Sequence, residues 1–139
     1  MNRLDNHRTL VTGAASGIGQ ATALRLLDEG ATVVAADVSA DGLAATSAQA
    51  AERGTADRLT TLVIDIGDEQ SVVEGVRASV ENLGGLDSLV NAAGILRASH
   101  TEQTSLDLWN LIIRVNLTGT FLGSARRCPR CWPTRVRRW

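Results

Sequence analysis

The sequence predicts an α/β fold, a doubly wound parallel sheet with helices on both faces. Short β-branched and apolar runs recur along the chain, and helix-favouring stretches separate them. Connections of that length are crossovers, which join strands in parallel and place helices over the sheet. The first strand also runs into a glycine-rich turn that opens a helix.

Residues 9–12, TLVT, form a run that stops at Gly13, and residues 18–29 favour helix up to a stop at Gly30. TVVAAD (32–37) reads as a second, buried strand, and Ser39 caps an alanine-rich helix that runs to Arg53 and Gly54. LTTLVID (59–65) is the third strand, followed by a helix over 68–82. DSLVN (87–91) is the fourth and ends at an Ala-Ala-Gly turn. After a polar loop, Ser105 opens a helical stretch through Trp109, Leu111, Ile112 and Val115. The pattern covers residues 1–125, ending after the fourth strand and the helix that follows it.

At 139 residues and 44% hydrophobic content, the chain can bury a real core as one domain. Its net charge of −1 averages two unlike regions: residues 1–125 carry eight Arg against fifteen Asp and Glu, whereas residues 126–139 carry six Arg and no acid. Both cysteines, both prolines and two of the three tryptophans lie in that tail, and the chain has neither Tyr nor Lys. The start, MNRLDNHR, lacks the apolar stretch of a signal peptide, and no apolar run is long enough to span a bilayer. A soluble cytoplasmic protein with no membrane partner and no disulfide is expected.

The glycine turn, VTGAASGIGQ (11–20), carries the chemistry. In a strand-turn-helix unit, side chains at the turn would hold a pyrophosphate away from the backbone N–H groups and the positive end of the helix. Gly13 permits the turn, while Gly17 and Gly19 let ligand and helix come close. The spacing is G-x-x-x-G-x-G rather than G-x-G-x-x-G. Asp37 ends the second strand eighteen residues beyond Gly19, where a carboxylate can accept both ribose hydroxyls and repel a 2′-phosphate. No cation stands beside it, since Val38 follows and Ala15 and Ser16 occupy the turn. NAD is therefore expected in preference to NADP; the competing reading of Asp37 is an acid that caps a helix or holds a loop.

Thr12-Gly13-Ala14-Ala15-Ser16-Gly17-Ile18-Gly19 resembles the TGxxxGIG fingerprint of the short-chain dehydrogenase/reductase family. Asp65-Ile66 resembles that family's adenine contact, and Asn91-Ala92-Ala93-Gly94 its NNAG motif, with Ala92 in place of the second Asn. Val115-Asn116-Leu117-Thr118-Gly119 is similar to the segment carrying the family's catalytic Asn. The resemblance implies a Rossmann-like sheet with a cofactor site built from Gly13, Ser16, Gly17, Ile18, Gly19, Asp37, Asp65, Ile66, Asn91, Ala92 and Gly94. It implies Asn116 as the catalytic position, holding a water in a proton relay. Read as a residue, Asn91 can bridge neighbouring strand backbones with its amide, and Asn116 is an awkward residue for a helix interior. His7 and His100 match no motif and read as surface histidines.

The same resemblance implies hydride transfer between a secondary alcohol and a ketone, in which a Tyr moves the hydroxyl proton, a Lys lowers its pKa and a Ser orients the carbonyl. Neither Tyr nor Lys exists in the chain, so it is expected to be inactive as it stands, with a small alcohol or ketone as substrate only in a complete homologue. In the tail, Cys128 and Cys131 have metal-knuckle spacing, but no second pair completes a zinc site, and no metal is expected. A redox reading lacks its helix context, and the Arg and Trp cluster is not read as a nucleic-acid contact. Read two bases later, codons for the tail allow APLPAMLADAGAAV after Ser124, a helix end, a glycine stop and a strand start. Residues 126–139 are read as an aberrant, frameshift-derived segment. The alternative is a non-catalytic protein that binds dinucleotide, or a partner or second copy through an exposed fourth strand.

Overall fold

The computed structural model describes residues 3–125. The arginine-rich tail, with Cys128, Cys131 and the shifted-frame reading, lies outside the described residues. In chain order the elements are β1 (Arg8–Thr12), α1 (Gly17–Asp28), β2 (Thr32–Asp37), α2 (Ala40–Glu52), β3 (Leu59–Val63), α3 (Glu69–Leu83), β4 (Ser88–Asn91), α4 (Leu106–Ile113) and α5 (Thr120–Ala125). A π-helical segment, Arg114–Gly119, joins α4 to α5.

The four strands are parallel in the order β3-β2-β1-β4, the doubly wound arrangement that the alternation predicts. Register puts Leu10 beside Val34 and Val11 beside Ala35, so neighbouring side chains on each strand point to opposite faces. On one face Val11, Val33 and Ala35 pack with Leu24 and Leu27 of α1 and Leu43 of α2. On the other, Leu10, Val34 and Ala36 pack with Val72 and Val76 of α3 and Leu122 of α5. Both faces are covered, which is why β1 and β2 read as continuous apolar runs rather than alternating ones. Each large aliphatic side chain buried this way is worth about 1.5–3 kcal/mol.

Capping explains where most helices begin. Ser39, Asp68 and Ser105 each accept a hydrogen bond from the backbone N–H three residues on, at 3.1, 2.7 and 3.1 Å. These bonds satisfy donors that helix geometry leaves open. β3 is two residues shorter than its apolar run predicts. Its partner β2 ends at Asp37, whose carbonyl takes the Ile64 N–H at 3.0 Å. Beyond that point the Asp65 N–H turns to the Ser71 hydroxyl instead.

The stretch predicted as one helix from Ser105 is not uniform, because it widens to π geometry at Arg114–Gly119 before resuming as α5. Gly119 sits there so close to β3's continuation that a Cβ would lie 2.8 Å from the Ile66 carbonyl oxygen.

Ion pairs brace the end of the sheet opposite the glycine turn. Arg8 grips Asp87 with two side-chain bonds, Nε to Oδ2 at 2.9 Å and the second to Oδ1 at 2.8 Å, and also reaches the Gly84 carbonyl. The guanidinium of Arg8 holds the Asp87 carboxyl down at about 2. Glu29 stands at the C-terminal end of α1, where the helix dipole disfavours an anion, and is bonded by Arg3 and Arg25. The hydrogen bond from Arg3, helped by Arg25, holds its carboxyl down at about 2.

Candidate functional site

The turn after β1 is built by close approach. Gly13 turns at a φ of +71°, and a Cβ on it would lie 2.5 Å from the Ala93 nitrogen and 2.7 Å from the Ala92 carbonyl carbon. Thr12 Oγ1 donates to the Val90 carbonyl and accepts from the Ala93 N–H, both at 3.4 Å, linking the turns that follow β1 and β4. A Cβ on Gly19 would overlap the Gly13 carbonyl oxygen, so the first turn of α1 rests directly on the glycine turn. Gly17, at a φ of +54°, faces open space.

That space is a cleft of about 360 Å³ at the C-terminal ends of the strands. Gly13, Ser16, Gly17, Ile18 and Gly19 line it from the turn, Asp37 and Val38 from the end of β2, and Ile64 and Ile66 from beyond β3. Ala92, Ala93, Gly94 and Ile95 complete it after β4, with Val115 from the π segment. The walls are mainly apolar, and among these lining residues Asp37 is the one charged side chain. Ser16 precedes α1 without a side-chain cap, and the first turn carries no acid. Its backbone donors and the positive end of the helix are thus left to whatever anion enters.

The structure gathers nine of the predicted cofactor positions around the cleft: Gly13, Ser16, Gly17, Ile18, Gly19, Asp37, Ile66, Ala92 and Gly94. Asp37 holds loops, as the competing reading of it expects, and also stands at the cleft. Its Oδ2 accepts from the Ala15 N–H at 3.1 Å and its Oδ1 from the Ser39 N–H at 3.0 Å, holding both loops while the residue lines the cleft.

Asp65 and Asn91 are not among the lining residues. Asp65 is exposed and closes a local turn by accepting from the Gly67 N–H at 2.8 Å. The amide of Asn91 does not bridge strand backbones; it donates to the Ser124 hydroxyl of α5 at 3.2 Å. Asn116 lies in the π segment, and its amide makes a matched pair with one residue, accepting from the Ile95 N–H at 2.8 Å and donating to the Ile95 carbonyl at 2.9 Å. It therefore anchors a wall of the cleft. His7 is not simply a surface histidine, since it is half-buried and pairs with the Ser88 hydroxyl at 3.1 Å.

A sequence profile of the short chain dehydrogenases matches residues 7–131. The chain belongs to the short-chain dehydrogenase family. A D-threitol dehydrogenase from Mycolicibacterium smegmatis is 41% identical over 125 residues, covering 86% of this chain and 45% of that protein. A levodione reductase from Leifsonia aquatica is 38% identical over 122 residues, with 87% and 46% covered. Among solved structures, a short chain dehydrogenase from Burkholderia cenocepacia in complex with NADP superposes with a TM-score of 0.83 at 36% identity, covering 90% of this chain and 51% of that one. The chain thus spans about half the length of the relatives it matches.

Within the short-chain dehydrogenase fold, the cleft is also lined by residues not expected in the site. Val38, Ile64, Ala93, Ile95 and Val115 supply apolar wall, and single apolar residues of this kind carry no distinctive sequence signal. Thr46 is different. It shares the buried face of α2 with Leu43 and Ala50, so a polar residue at an apolar register was visible in the sequence as an anomaly. Among the described residues no helix is long and apolar enough to cross a membrane, and no group of three or more His, Cys, Asp or Glu is placed to hold a metal ion.

Proposed function

We propose that this chain holds NAD in preference to NADP, as the cofactor-binding part of a cytoplasmic oxidoreductase that interconverts a secondary alcohol and a ketone. One observation carries the reading: the uncapped start of α1 and the carboxylate of Asp37 share a cleft with no other charged lining residue. The residues fit a dinucleotide. Gly17 leaves room where any larger side chain would stand, and a cleft of about 360 Å³ is within the range of small-molecule sites, about 300–1,000 Å³.

The donors at the start of α1 would take the pyrophosphate, Asp37 the adenosine ribose, and Ile66, Ala92 and Gly94 the walls. When bound, the cofactor supplies the hydride chemistry. A 2′-phosphate beside Asp37 would meet like charge without a compensating cation, which supports NAD. The Burkholderia relative carries NADP, so the fold alone does not select NAD, and this reading rests on Asp37.

A second reading has its own support. Neither Tyr nor Lys occurs in the chain, so the residues expected to move the proton are absent and the 139 residues alone act as a dinucleotide-binding protein. Under this reading Asn116 contributes by shaping the cleft and serves no relay.

Calorimetric titration of the purified chain tests the proposal. NAD is expected to bind more tightly than NADP, and Asp37→Ala to abolish that preference. Tighter binding of NADP by the unaltered chain, or a preference that ignores Asp37, overturns the assignment.

A further inference from the structure

Behind the glycine turn lies a buried polar group that is not among the residues lining the cleft. Thr46 is fully buried in α2. A threonine inside a helix commonly returns its hydroxyl proton to the carbonyl four residues earlier. That carbonyl, Gly42, is 3.1 Å from Thr46 Oγ1, but the Ala14 carbonyl of the glycine turn is nearer, at 2.8 Å. Thr46 Oγ1 itself accepts from Gln20 Nε2 at 2.8 Å, and Gln20 Nε2 also reaches the Ala15 carbonyl at 3.3 Å.

The peptide groups of Ala14 and Ala15 are tied on their donor side as well. The Ala14 N–H bonds the Ala36 carbonyl at 3.0 Å, and the Ala15 N–H bonds Asp37. Helix α2 can reach this far because of Gly42, where a Cβ would come within 2.6 Å of the Ala15 Cβ. A trans peptide is planar, with its C=O and the following N–H pointing in opposite directions. Holding the Ala15 carbonyl towards Gln20 therefore directs the Ser16 N–H away from Gln20 and Thr46. Ser16 and Gly17 follow at the cleft.

We propose that Thr46, acting with Gln20, is a positioning residue for the diphosphate end of the cofactor site: it touches no ligand but sets the aim of the turn's N–H donors. This rests on the dinucleotide reading above. It predicts that affinity for the diphosphate depends on the Thr46 hydroxyl while affinity for the nucleoside does not.

The test compares ADP, NAD and adenosine on the 139-residue chain, by calorimetry for the first two and by amide chemical shifts for adenosine. Thr46→Val keeps the shape and removes the hydroxyl. It is expected to weaken ADP and NAD roughly tenfold, the scale of one lost hydrogen bond, with adenosine affinity unchanged and Thr46→Ser restoring ADP binding. Unchanged ADP affinity in Thr46→Val, or equal loss of ADP and adenosine, overturns the proposal and leaves Thr46 a packing residue. Should Thr46→Val not fold, Gln20→Met meets the same criteria at a half-buried position. If the unaltered chain binds neither ADP nor NAD, the dinucleotide reading itself is overturned and this inference with it.

Discussion

Asn116 shows how one side chain can serve a site without lining it. Its amide pairs with both backbone groups of Ile95, and Ile95 is one of the walls of the cleft. Asn116→Ala removes both bonds at a position open to solvent, so water replaces part of the loss. A destabilisation of about 1–2 kcal/mol is expected, with faster hydrogen exchange at the Ile95 amide and weaker cofactor binding. An Ile95 amide as protected in the variant as in the unaltered chain would show that the pair anchors nothing. The motif resemblance located Asn116, but not its partner. Twenty-one residues separate the two, and only the π segment beside the turn after β4 brings them together.

Among the elements, the start of β1 and the turn before β4 are joined mainly by Arg8 and Asp87. The Asp87 carboxyl is lowered from 3.8 to about 2, and that of Glu29 from 4.5 to about 2. Folding therefore gains from these carboxylates at any pH above their ordinary values. The gain disappears as pH falls through about 4 towards 2, when both states become protonated. Thermal melts of the purified chain should lose stability over that window. Asp87→Asn should be less stable at neutral pH and should lose less than the unaltered chain on acidification. Parallel pH profiles for the two proteins would remove Asp87 from the account. Sequence spacing did not reveal this pairing, because Asp87 reads locally as part of a strand and its partner lies 79 residues away.

At the scale of the whole molecule, the outer edge of β4 bears on behaviour in solution. Among the described residues β4 pairs only with β1, and its residues Ser88, Leu89, Val90 and Asn91 include no charge and no proline. Edges of that kind invite pairing with another chain. Exposed Trp109, Leu117 and Phe121 on the helices after β4 add apolar surface. The chain is expected to associate or precipitate at moderate concentration, and Phe121→Lys, at an exposed apolar position, to reduce this. Light scattering that finds a stable dilute monomer would count against it.

No useful hydride transfer is expected from the same 139 residues, because general acid-base assistance is worth on the order of 10²–10⁴ in rate and no Tyr or Lys is present to supply it. Absorbance of the reduced nicotinamide, followed with NADH and ketones and with NAD and alcohols, checks this. Turnover sensitive to Asn116→Ala would show that the pair is not required.

The sequence by itself determined the order of strands and helices, the parallel sheet, the glycine turn and the placement of Asp37 at the end of β2. These depend on local periodicity, on caps such as Ser39 and Ser105, and on the spacing of the turn glycines, all written within a few neighbouring residues. Only the tertiary structure decided that β3 stops where β2 can no longer pair with it, and that the helix after Ser105 widens to π geometry. It also placed Asn91 against Ser124, Asn116 against Ile95, and Thr46 behind the turn. Each of these is a bond or a close contact between segments far apart in the chain, and such partners exist only once the sheet has set which ends meet.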